Sequence, residues 1–420
     1  MLAMMSLVIS HVGIPFRVTA GQRSWSVDLH DYGVMEKRGE NGGYYHPTVS
    51  LAATNNVIAV ALGNPDSLAA ADMPANRYSG TWKVTLLMFD ANDGKLKRKI
   101  GPWSSDFSFE LHPTAQGNFL LLLRHIWSAK ENPGEALYLL SSSGEELKKM
   151  DLPESKTASR RGWSEFLVSP GGHTVLLGQI REGNVHYQAL EADTLETKFE
   201  WTRDAGSDSP GIVALSDKEL LGIRDTHSPG KPRGADPELE AFVRPFDGPW
   251  HSLNTTLDVS TRGVTSQGFH STQLAFLSDT VIVGVHRKTS ERDGSIIELQ
   301  SDGTIFSRPV IPKLPDRTSL TGPVAVSAGG RYFAVGFEHR PWISHLLLDV
   351  MTMDITFWDD DSLMLVWEAS SPEPAARVPL GTDLRALSFS PGDPPTLAFI
   401  TGSKLQVIRI QPKASTPSGQ

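Results

Sequence analysis

Residues 385–410 read RALSFSPGDPPTLAFITGSKLQVIRI. Apolar and polar residues alternate through Arg385–Phe389, and Ser390-Pro391-Gly392 interrupts them. A more apolar segment follows to Ile400, then Thr401-Gly402-Ser403, then the alternating KLQVIRI of 404–410. Period-two alternation predicts half-buried strands, and Pro and Gly supply the backbone angles of the turns between them. The same grammar recurs upstream: a short apolar strand, a small or polar turn, then a more apolar strand. It appears in residues 49–62, 109–123, 166–180, 212–223, 274–285, 324–337 and 386–400. Recurrence at this spacing predicts repeated supersecondary units, as in propeller blades carrying loop insertions.

Each unit but the last is followed by a second hairpin, in residues 84–100, 137–152, 187–201, 240–253, 296–310 and 363–380. Asp-Gly, Ser-Gly and Pro mark their turns. Each repeat therefore has four strands, a to d. The last repeat ends with its third strand at 404–410, and Ser24–His30 (SWSVDLH, with Trp25, Val27 and Leu29 alternating) supplies the fourth from the other end of the chain. Such pairing leaves no free sheet edge at the closure. The fold class is all-β, a seven-bladed β-propeller of four-stranded blades. It occupies 24–411, with 1–22 as a signal peptide or disordered N-terminus and 412–420 as a disordered tail.

These segments resemble the WD40/YVTN-like seven-bladed β-propellers. The resemblance is carried by 385–410, by LMLVWEASSPEPAARVPL (363–380), whose Val366-Trp367-Glu368 is similar to the end of a WD40 strand c, and by the turns Ser169-Pro170-Gly171-Gly172 and Ser390-Pro391-Gly392. It implies a rigid ring whose d–a and b–c connections share one face and whose a–b and c–d turns share the other. YVTN-like propellers are also similar to lactonases that act at the mouth of the central channel. That implies a rival reading in which a histidine such as His46, His270 or His286 serves as a base.

Composition narrows the chemistry. The 420 residues contain no Cys, which excludes disulfides, thiol nucleophiles and cysteine-held metals. Lys and Arg total 39 against 48 Asp and Glu, a net charge of −9. The paired cations Arg160-Arg161 and Lys148-Lys149 are short, so nucleic acid is not an expected partner. No apolar run reaches the ~20 residues of a membrane-spanning helix. Residues 2–9 form a short apolar stretch, and Val18-Thr19-Ala20 fits signal-peptidase cleavage after Ala20. The chain is therefore expected to be secreted or periplasmic, with a cytoplasmic location as the alternative.

The long connections concentrate on the d–a/b–c face: 63–82, 124–136, 225–238 and 339–361 between strands b and c, and 152–164, 254–270 and 310–322 between repeats. Function tends to sit on loops held by a rigid scaffold. The ends of strands b carry Arg124, His125, Arg181, Arg224, His286, Arg287 and His339, and the starts of strands a add His46, Trp163, His270 and Arg385. Arginine suits bidentate recognition of carboxylate or phosphate. The set predicts a rim for an anionic small molecule or an acidic or C-terminal segment of a protein or peptide partner. Trp82, Trp103, Trp127 and Trp342 lie beside the same loops.

No catalytic motif, cofactor or metal site is expected. Asp90-Ala91-Asn92-Asp93-Gly94 imitates a calcium loop but has Gly94 and Gly101 where such a loop needs ligands, so it reads as a hairpin turn. Asp354 and Asp359–Asp361 read as solvated loop charge, and His345 with Asp349 lacks the H-E-x-x-H pattern. The chain reads as a non-catalytic binding propeller.

Overall fold

The computed structural model describes residues 21–33, 37–38, 44–45, 48–65, 82–105, 109–123, 135–152, 165–181, 184–204, 210–225, 239–257, 274–278, 281–286, 295–300, 302–309, 318–320, 324–339, 363–371, 373–380 and 384–410. The described residues open with β1 (Gly21–Asp28), a 3-10 turn (Leu29–Tyr32) and a two-stranded ribbon of β2 (Lys37–Arg38) and β3 (Tyr44–Tyr45). Blade 1 follows as β4 (Thr48–Ala53), β5 (Val57–Pro65), β6 (Trp82–Asp90) and β7 (Leu96–Ser105). Blade 2 is β8 (Phe109–Pro113), β9 (Phe119–Leu123), β10 (Glu135–Leu140) and β11 (Glu146–Leu152). Blade 3 is β12 (Glu165–Val168), β13 (Thr174–Arg181), β14 (Asn184–Glu191) and β15 (Thr197–Asp204). Blade 4 is β16 (Gly211–Leu215), β17 (Glu219–Asp225), β18 (Leu239–Pro245) and β19 (His251–Leu257). Blade 5 is β20 (Leu274–Ser278), β21 (Val281–His286), β22 (Ser295–Gln300) and β23 (Ile305–Pro309). Every pairing within these sheets is antiparallel, between strands consecutive in the chain.

The next sheet departs from the repeat. It contains β24 (Thr318–Leu320), β25 (Ala325–Val326), β26 (Tyr332–His339), β27 (Leu363–Glu368) and β28 (Pro374–Pro379), and both β24 and β25 pair with β26. The expectation of seven four-stranded blades is thereby corrected: six blades are four-stranded, and this sheet has five strands. Thr321-Gly322-Pro323 lies between the two short inner segments. Proline has no N–H to give to a ladder, which makes it a natural break in a strand.

The closing blade is β29 (Leu384–Phe389), β30 (Thr396–Thr401) and β31 (Lys404–Ile410), with β1 as its outer strand in the order β1-β31-β30-β29. The N-terminal strand thus closes the ring as the sequence predicts, from Gly21 opposite Ile410 to Asp28 opposite Lys404. It ends earlier than the alternation suggests. Asp28 accepts a hydrogen bond from the His30 N–H (3.0 Å) and turns the chain into the 3-10 segment. Leu29 therefore reaches the core from that turn, fully buried, with its N–H donated to Ser403 O at 2.8 Å. Trp25 Nε1 donates to Ala91 O of blade 1 at 2.9 Å.

The inner strands pack side by side around the ring: β29 beside β4, β4 beside β8, β12 beside β16, β16 beside β20, β20 beside β25, and β25 beside β29. His112 of β8 meets Phe166 of β12 edge-on at 5.3 Å between ring centroids. An apolar cluster fills each junction between neighbouring sheets. Ile58 and Phe89 meet Ile400 and Val407 between blade 1 and the closing blade, and Phe119 and Leu121 meet Val84 and Met88 between blades 1 and 2. Burial of each such side chain stabilises by roughly 1.5–3 kcal/mol.

A buried hydroxyl opens each a–b turn whose side chain is described. Thr54, Thr114, Ser169, Ser216, Ser327 and Ser390 accept hydrogen bonds from the N–H groups of Val57, Asn118, Thr174, Glu219, Tyr332 and Thr396, at 2.9–3.1 Å. Ser278 holds the corresponding sequence position in blade 5. Such side-chain-to-backbone bonds fix a tight turn where a buried N–H would otherwise lack a partner.

On the same face, neighbouring sheets are tied through their turns. Arg98 donates to Ser143 O and Lys148 to Thr194 O, each at 2.6 Å. Asp193 of blade 3 accepts from the Thr114 hydroxyl and from Asn118 Nδ2 of blade 2, the latter at 3.1 Å. Arg331 bridges Glu368 of its own sheet (3.0 Å) and Asp393 of the closing blade (3.1 Å).

Candidate functional site

Arg181, His286 and His339 are the last residues of β13, β21 and β26, and Arg224 is the second-last of β17. They lie opposite Asn184, Ser295, Thr318 and Glu240 respectively, at the end of each sheet from which the b–c connection departs. The side chains of Arg224 and Arg385 are described, whereas those of Arg181, His286 and His339 are outside the described set. His46, Arg124, His125, Trp163, His270 and Arg287 also lie outside the described residues, as do Trp127, Trp342, His345, Asp349, Asp354 and Asp359–Asp361.

Arg224 sits in a local network. Its Nη2 donates to Glu240 Oε2 at 2.6 Å, and its guanidinium lies 4.7 Å above the Phe242 ring. The Ser252 hydroxyl donates to the other Glu240 oxygen at 2.8 Å. The Arg224 hydrogen bond, and then that of Ser252, hold the Glu240 carboxyl below the usual glutamate value. An anion approaching Arg224 therefore competes with an ionised Glu240. Arg385 is partly exposed where the β29 register shifts between Leu384 and Ala386.

Two arginines outside the predicted rim lie at the junction of blades 3 and 4. Arg203 of β15 donates through Nη1 to Pro210 O at 2.9 Å. Its Nε is buried without a hydrogen-bond partner. Arg244 of β18 lies 4.9 Å above the Trp201 ring and donates through Nε to Gly248 O at 2.7 Å. Burial holds Arg244 below the usual arginine value. Trp201 in turn stacks on Tyr187 at 4.8 Å. The signal in the sequence was spacing: Trp201 with Arg203, and Phe242 with Arg244, are i, i+2 pairs that share a strand face.

Other motifs resolve as structure. In Asp90–Gly94, Asp90 Oδ1 accepts from Asn92 N (2.8 Å), Asp93 Oδ1 accepts from Lys95 N (3.0 Å), and Gly94 has φ +73°. Lys97 lies 2.7 Å from Asp90, and its hydrogen bond, followed by that from Asn92 N–H, lowers the Asp90 pKa to about 2. The hairpin-turn reading holds. Lys97-Arg98-Lys99, a longer basic run than the pairs noted from the sequence, stands on exposed β7, where Lys97 and Arg98 contact Asp90 and Ser143. Trp82 is buried, and Trp103 packs against Tyr138 at 6.1 Å, so both belong to the core. Among the described residues no helix is long and apolar enough to cross a membrane.

No family model and no curated protein matches the chain. Among solved structures it is similar to an acylaminoacyl peptidase in complex with Z-Gly-Gly-Phe-chloromethyl ketone. Identity there is 9%, 84% of this chain and 49% of the other are covered, and the TM-score is 0.49. It is also similar to hydrazine synthase of Kuenenia stuttgartiensis, at 12% identity, with 86% and 94% covered and a TM-score of 0.42. The chain spans about half the length of the acylaminoacyl peptidase chain. Both likenesses concern the fold.

Proposed function

We propose that the chain is a non-catalytic propeller that binds a protein or peptide partner through its d–a/b–c face. The observation carrying this reading is the asymmetry between the two faces. Polar groups of the a–b and c–d turns are engaged with one another across blades, as in Asp193 with Thr114 and Asn118. The long connections 66–81, 124–134, 226–238 and 340–362 all leave from the opposite end. The five-stranded sheet acts on this reading as a seventh sector of the ring, presenting the longest of these connections. The rim residues give that face an affinity for anionic groups.

A variant combining Arg124→Ala, Arg224→Ala and Arg287→Ala should lose a partner captured by the immobilised wild-type chain while keeping its melting temperature. Undiminished capture would exclude the rim. Proton release when the purified chain meets a panel of lactones would instead favour hydrolysis at the channel mouth. Export is part of the proposal, on the short apolar stretch 2–9 and Val18-Thr19-Ala20. Cleavage there leaves the closing strand whole. The mass of the chain recovered from a periplasmic fraction should correspond to a start at Gly21, and a retained Met1 would contradict export.

A further inference from the structure

The junction between blades 3 and 4 carries more cationic charge than its described carboxylates balance. Three arginines lie on the strand faces that pack there. Arg244 faces blade 3, because its guanidinium lies over Trp201 of that blade. Phe242 and Glu240 follow at two-residue intervals along β18 and share that face. Arg224 is directly opposite Glu240 and paired with it. Gly222, two residues before Arg224, lies against Pro210 and Trp250: a Cβ built on it would come within 2.7 Å of Pro210 Cβ. Pro210 is the residue whose carbonyl receives Arg203. Arg203 comes from the blade 3 side, opposite Val185, which packs into the apolar cluster of this junction. Among the described side chains on these strand faces, Glu240 is the one carboxylate set against Arg203, Arg224 and Arg244.

We propose that the d–a/b–c end of the blade 3–blade 4 junction is a carboxylate-binding cleft, in which Arg203 and Arg224 receive an acidic group of the partner segment. This deepens the binding reading given above and rests on it. Arg203 brings a buried Nε with no acceptor. A guanidinium carries five donors in a planar fork suited to a carboxylate, and Pro210 O takes one end of the fork. Desolvated charge-assisted bonds of this kind are stronger than neutral ones. Glu240 acts as an internal competitor, holding Arg224 until a second carboxylate arrives, and Phe242 keeps that guanidinium flat beneath it.

The test uses the full chain and two fluorescent probes read by anisotropy. One is hexaglutamate with both termini blocked, and the other is hexaserine with a free C-terminal carboxylate. Binding of the first identifies a side-chain carboxylate as the ligand, and binding of the second a chain terminus. Arg203→Gln should weaken the bound probe by about ten-fold, the loss of one charge-assisted contact. Arg203→Lys, which keeps the charge but not the planar fork, should weaken it by a smaller factor and serves where the Gln variant is unstable. Glu240→Gln removes the competitor and should tighten binding several-fold. Raising the salt should weaken binding. Failure of both probes to bind, or equal affinity in wild type and both Arg203 variants, would overturn the cleft. Arg224 is shared by the cleft and the triple rim variant, so the two readings are separated by Arg203→Gln, which leaves every rim residue in place. Loss of partner capture by the rim variant together with equal probe affinity in wild type and the Arg203 variants overturns the cleft alone, whereas undiminished capture by the rim variant overturns the binding reading.

Discussion

At the scale of single residues, the ring depends on polar atoms that alternation does not reveal. Ser169 is buried at the start of its a–b turn and accepts from the N–H groups of His173 and Thr174, at 3.2 and 3.1 Å. Ser169→Ala leaves those donors without an acceptor and should cost about 1–3 kcal/mol, read as a lower urea midpoint. An unchanged midpoint would show that the hydroxyl is not needed. Asp90 makes the corresponding point for charge. Its folded pKa of about 2 lies below the usual 3.8, so its contribution is fully present above the ordinary aspartate value and is lost as pH falls toward 2. An NMR titration should return a value near 2 for Asp90, and Lys97→Ala should move it upward. The hydroxyls were visible in the sequence as a Ser or Thr closing each strand a. The pairing of Arg224 with Glu240 was not, because it spans a b–c connection whose length does not dictate register.

At the scale of elements, the hairpins and the closing strand were legible because two-residue periodicity and turn chemistry agree for them. The split inner edge of the five-stranded sheet was not, since Ala325–Val326 and Thr318–Leu320 are too short to show a period. The 3-10 turn after β1 escaped for a related reason: Leu29 continues the alternation in sequence while the backbone has already changed conformation. Trp25, Val27 and Leu29 pack onto blade 1 and the closing blade. Leu29→Ala should therefore cost about 2–5 kcal/mol, as for other buried leucines. Removal of residues 1–32 also bares the edge of β31 and should lower the melting temperature by roughly 10 °C or more. A truncated chain that melts like the full one would place closure elsewhere.

At the scale of the whole molecule, the proposed function divides the work between the two faces. Turns on one face are cross-tied from blade to blade, and the ring needs no covalent staple, consistent with a chain without cysteine. The other end of the sheets carries the strand ends from which the long connections leave, with Arg203 of β15 and Arg224 of β17. The residue types proposed as a rim stand in the sequence at equivalent strand ends, and of these the side chains of Arg224 and Arg385 are described. The proposed cleft was not legible there, because Arg203 and Arg224 come from different blades, on strand faces that approach each other only when the sheets pack. Hydrogen–deuterium exchange of the full chain with its captured partner addresses this division most directly. Protection should appear in 66–81, 124–134 and 226–238 and at the ends of β15 and β17, with the turns at 91–95, 141–145 and 192–196 unchanged. Protection confined to those turns would contradict it.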